Sequence, residues 1–135
     1  RQDMLRVAYC NIKKSDGRPK SNIRDLRNCA NKNKEILIKQ ISFFNPSVII
    51  GGNIVDGVLE EVMEWGDDLY KSQSHYVNIF TLKIDGKYFP FVDICHPSAR
   101  KSNAVDCMEL FNAIKHDEKE TPGYWKSRCG LKCFE

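Results

Sequence analysis

The chain has 135 residues, 41% hydrophobic and 29% charged, with a formal net charge of +3. That balance fits a single domain, 1–135, with an ordinary core, and it excludes disordered, fibrous and collagen-like classes. No run approaches the roughly 18 apolar residues of a membrane span and no basic leader precedes an apolar stretch, so a soluble cytoplasmic protein with no membrane partner is expected.

Along the chain, Leu5 to Tyr9 is a short apolar run of strand type. Asn11 to Lys20, with Asp16-Gly17 and Pro19, is its loop. Ser21 is a suitable N-cap, and Ile23, Leu26, Ala30, Leu37, Ile41 and Phe44 recur at helical spacing, predicting one long amphipathic helix that stops before Pro46. Val48-Ile49-Ile50 is β-branched throughout and predicts a strand buried on both faces. Gly51-Gly52 reads as a tight turn into a second helix, with Val55, Val58, Leu59, Val62 and Met63 as its buried stripe, Glu60, Glu61 and Glu64 as its wet face and Gly66 as its stop. Val77 to Ile84 and Lys87 to Ile94 flank Asp85-Gly86, the chemistry of a two-residue hairpin turn. A third helix is expected from about Ser102 to His116, with an irregular tail over 117–135.

Strands alternating with helices of this length predict an α/β layered fold with a mainly parallel sheet and a β-hairpin, and such folds bind ligands beyond the carboxyl ends of their strands. Three such ends bear chemistry: Cys10-Asn11, Gly51-Gly52-Asn53, and the loop His96-Pro97-Ser98 followed by Arg100 and Lys101. An imidazole donor and phosphate-binding groups therefore share one turn. The carboxylates nearest these ends are Asp16, Asp56 and Asp93. The first third is basic, eleven Lys and Arg against four acids over Arg1 to Lys39, which is compatible with a polyanionic partner. Most of the six cysteines read as reduced core residues. Cys129 and Cys133 are spaced as a pair, open to a disulfide or, with His116 or Cys107, to zinc, but no second clear pair completes a site and no metal or cofactor is expected.

From Arg6-Val7-Ala8-Tyr9-Cys10-Asn11, through Asn45-Pro46-Ser47-Val48-Ile49-Ile50-Gly51-Gly52, to His96-Pro97-Ser98, the chain resembles the uracil-DNA glycosylase superfamily, most closely its bacterial members. The resemblance spans about Leu5 to Ile114, and the His-Pro-Ser run is its specific part. It implies a three-layer helix-sheet-helix fold and DNA as partner. It also implies that Asn11 reads a flipped uracil, that His96 stabilises the leaving base, and that Pro97 and Ser98 press on the DNA backbone, with Arg100 and Lys101 meeting phosphate. The family's first motif, which supplies the water-positioning residue, has no match here, and Ala99 and Arg100 stand where a leucine-like wedge is expected. The chain accordingly looks like a relative that lacks the first strand, truncated at its N-terminus, and inactive by itself in excising damaged bases. A non-enzymatic relative binding nucleic acid or a nucleotide, and an unrelated α/β interaction domain, are the alternatives.

Overall fold

Asp85 and Gly86 both adopt positive φ, 48° and 76°, and so form the tight turn that matches the right-handed twist of two antiparallel strands. They join β4 (Val77–Ile84) to β5 (Lys87–Ile94), paired along their whole length from Ile84 opposite Lys87 to Val77 opposite Ile94. This hairpin is the spine of the domain. The computed structural model describes residues 8, 10–12, 22–66, 70–71, 77–94 and 112.

β1 (Ile49–Gly52) lies parallel to β5, while β2 (Glu64–Trp65) and β3 (Tyr70–Lys71) both pair antiparallel with β4, giving the order β1-β5-β4-β2. The fold is α/β, but its sheet is mixed: among the described residues only the β1–β5 pairing is parallel. The expectation of a mainly parallel sheet rested on a helix after β1, and that helix does not form. Val55–Leu59 is instead one wide π-helical turn broken inside by Asp56 (ψ 124°) and Gly57 (φ 74°), and Glu64–Trp65 is already extended. Three valines and a glycine within eight residues weaken a helix, because branched side chains lose rotamer freedom and glycine loses backbone entropy. The burial pattern survives the change of element. Val55, Val58, Leu59, Val62 and Met63 are all buried and Glu60, Glu61 and Glu64 all exposed.

The long helix is also divided, into α1 (Ile23–Lys32) and α2 (Lys34–Phe44), with Asn33 between them at φ −102°, ψ 10°. Asn22, rather than Ser21, is the N-cap, its side-chain oxygen accepting the Asp25 N–H at 2.7 Å. Asn33 leaves the helical path and donates its side-chain amide to the Ile12 carbonyl at 3.3 Å, so the break ties the helix pair to the segment 10–12. α2 ends at Asn45 in the left-handed region (φ 44°), as expected ahead of Pro46. No helix among the described residues is long and apolar enough to cross a membrane.

Both faces of the hairpin are withdrawn from solvent. Phe80, Leu82, Phe89 and Phe91 join the core with Ala30, Leu37 and the wide turn, and Trp65 meets the Phe91 and Phe80 rings edge-on at 5.3 and 5.7 Å while donating its indole N–H to the Leu59 carbonyl. Val77, Ile79, Pro90 and Val92 alternate onto the opposite face and are fully or almost fully buried. Pro90 has no N–H to give, and it falls one residue before the stretch of β5 that pairs with β1. β1 is less enclosed than the sequence suggests, since Ile49 is half-buried and Ile50 is 59% exposed. The expected strand Leu5 to Tyr9, helix Ser102 to His116 and tail lie outside the described residues, except that Ala8 is described and is not in a strand, and Asn112 is helical.

Gly86 has open space around its Cα but a φ that L side chains rarely adopt. Gly86→Ala is expected to lower unfolding free energy by about 1–2 kcal/mol, read as a lower urea midpoint with unchanged m.

Candidate functional site at the ends of strands β1 and β5

Parallel pairing sets Gly51 opposite Asp93 and Gly52 opposite Ile94, so the chain leaves β1 and β5 at the same end of the sheet. β1 continues into Asn53, which takes the left-handed conformation (φ 56°), and then into the wide turn. β5 ends at Ile94, two residues before His96 in the sequence. This is the end of the sheet at which open α/β folds place ligands.

One side chain fastens the two exits. Asp93 is 3% exposed, and its two carboxylate oxygens accept the backbone N–H groups of Ile54 and Val55, each at 3.0 Å. Burial pushes its carboxyl above the usual aspartate range and the nearby negative charge of Asp56 adds to that, while the amides of Ile54, Val55 and Asn53 oppose it. In the middle of the same turn the Arg27 guanidinium donates to the Gly57 carbonyl at 2.7 Å. A carboxylate therefore holds the donors at the start of the turn and a cation holds an acceptor near its middle.

Gly51 and Gly52 are the last two residues of β1, not a tight turn, and neither has positive φ. Gly51 is there for room. A Cβ on it would come within 2.5 Å of Phe91 Cε1 and 2.8 Å of Asp93 Oδ1, because all three positions face the helix side of the sheet. The positive φ at the end of β1 belongs to Asn53.

Asn11 is exposed. Its neighbours fix where it sits: the Cys10 thiol donates to the Gln40 side-chain oxygen at 3.1 Å and the Ile12 carbonyl takes the Asn33 amide, so the segment rests on the helix pair near its break. His96, Pro97, Ser98, Arg100 and Lys101 lie outside the described residues, as do Asp16 and the cysteines from Cys95 onward. Cys10 and Cys29 are thiols, not half-cystines, Cys10 exposed and Cys29 half-buried. Of the carboxylates near the strand ends, Asp56 is exposed and Asp93 is buried with one backbone amide on each oxygen. Among the described residues no three His, Cys, Asp or Glu side chains gather as a metal site.

A concavity of about 710 Å³ runs between α2 and the sheet, walled by Leu37, Ile41, Phe44, Ile49 and Phe91. Among its described lining residues only Cys10 and Gln40 bring polar side chains, so it offers little with which to read the edge of a base. No protein-family model matches the chain, and no curated protein or solved structure matches it either.

Two outcomes test this geometry. Gly51→Ala is expected to cost about 1–3 kcal/mol by overpacking against Phe91 and Asp93, measured by denaturant unfolding. Because Asp93 binds its proton more tightly folded than unfolded, its contribution to stability is greatest in acid and falls as pH rises from about 4 through its raised folded value. Asp93→Asn is expected to remove that part of the pH dependence of the urea midpoint.

Proposed function

We propose that this chain is a uracil-DNA glycosylase-like, three-layer DNA-recognition domain of the bacterial cytoplasm, with its mouth at the shared exit of β1 and β5. The observation that carries the reading is the register itself: Gly52 level with Ile94 ends β1 and β5 side by side, and His96 follows Ile94 by two residues in the sequence. The burial of both hairpin faces supports the layered arrangement. In this reading Asn11 supplies the paired donor and acceptor that match adjacent carbonyl and imide groups of uracil. His96 aims an N–H at the base oxygen on which charge grows as the glycosidic bond breaks, which helps the transition state more than the ground state. Pro97 and Ser98 meet the DNA backbone, and Arg100 and Lys101 its phosphates.

Recognition without hydrolysis is the version we favour for these 135 residues. They contain no match to the family's water-positioning motif, and Asp93, the buried acid nearest the mouth, already accepts two amide bonds. Losing one member of a catalytic unit removes most of its rate.

Fluorescence anisotropy with a uracil-containing single strand tests the proposal. Weak binding that falls steeply with salt is expected, because phosphate contacts release counterions. Arg100→Ala with Lys101→Ala should weaken it and flatten the salt slope, and no uracil should be released above background. No binding at low salt, or affinity indifferent to the double substitution, overturns the reading in favour of an interaction domain. Robust uracil release overturns the non-hydrolytic version.

A further inference from the structure

We propose that Asp93 is the positioning residue of this mouth: its buried carboxylate holds the loop leaving β1 in a fixed relation to β5, three residues before His96. The inference rests on the mouth proposed above for its function, and on bonded geometry alone for its structure.

An acid in an otherwise apolar strand is costly to bury unless its oxygens are satisfied. A sheet residue with no structural task beyond packing is better served here by valine or phenylalanine, as at Val92 and Phe91. Asp93 instead faces the helix side above Gly51, whose missing side chain leaves the space that the carboxylate fills, and each oxygen takes a different amide of the loop. Two bonds from one rigid planar group fix orientation as well as distance. Asn53, exposed and in the left-handed region, is the residue presented between the end of β1 and those two bonds. Among the described residues, Asp56 and Arg27 are the charged groups at this turn. Asp56 on the loop acts on Asp93 directly, Arg27 of α1 grips the Gly57 carbonyl, and β1 and β4 set Gly51 and Asn78 opposite Asp93, neither of which titrates.

Asp93→Asn separates position from charge. The amide keeps the shape but has one acceptor oxygen, and its NH₂ group confronts an N–H donor. It also removes a negative charge, which by electrostatics alone should strengthen binding to DNA. We expect the amide protons of Ile54 and Val55 to exchange about tenfold faster or more in the variant, with those of Ile79 and Val92 unchanged, and binding of the uracil-containing strand to weaken about tenfold despite the favourable charge change. Should the variant fail to fold, the wild-type chain answers the same question: the Ile54 and Val55 amide resonances should shift together with protonation of Asp93 in an acid titration, and an Asp56→Asn variant should keep that shift. Unchanged exchange at Ile54 and Val55, or wild-type resonances indifferent to Asp93, overturns the clamp. Faster exchange with undiminished binding overturns its role at the mouth. A wild-type chain that binds no DNA removes the proposed function and with it the positioning role, while the amide measurements still decide whether the clamp exists.

Discussion

The β4–β5 ladder is the constraint on which every other described element depends. Its eight-residue strands meet through a turn of two residues, so their pairing is local and costs little loop entropy. β1 can be placed only along β5, and β2 and β3 only along β4. The helix pair has no sheet to cover until that hairpin exists, and helices of ten and eleven residues are marginal without a surface to pack on. Phe80, Leu82, Phe89 and Phe91 supply the surface.

Against this local spine the joining of β1 and its loop to β5 is a long-range construction. Asp93 and the Ile54 amide are 39 residues apart in sequence, and closing that interval earns only a few hydrogen bonds and the contact of β1 with β5. The site is therefore held by specific polar bonds where the spine is held by apolar burial. A buried carboxylate is a poor source of net stability, since its desolvation offsets much of what its hydrogen bonds return. It is a good source of geometry, because an unpaired alternative is far worse.

What the sequence makes legible follows from the range of each interaction. The Asp85-Gly86 turn, the helix end ahead of Pro46 and the buried stripe from Val55 to Met63 are set by neighbours a few residues away. The same stripe did not reveal its element, because valines at these intervals bury as well in a wide turn followed by a short strand as in a helix. Asn33 is only a mild helix disfavourer, and its break becomes intelligible through the carbonyl of Ile12, far off in sequence. The mainly parallel sheet was inferred from element order, and it failed with the missing helix. Gly51-Gly52 stood out in the sequence but not for the reason expected, since composition does not tell a glycine needed for φ from one needed for space. Asp93 stood out as an acid among apolar residues, yet its amide partners could not be read from any local pattern. Asn11 has a described position, on the helix pair near its break, that spacing alone did not suggest.

A strand as short and as poor in side chains as Ile49–Gly52 carries little information about where it should pair, because two of its four residues have nothing to interlock. Here the information is supplied from across the ladder. Sliding β1 one place in one direction brings Ile50 beneath the carboxylate, into a gap that admits only a hydrogen atom. Sliding it the other way leaves a glycine there but carries Ile54 and Val55 about 3.3 Å past the oxygens that receive them. The absent side chain and the buried charge work as the two halves of a key, and between them they leave the strand one alignment.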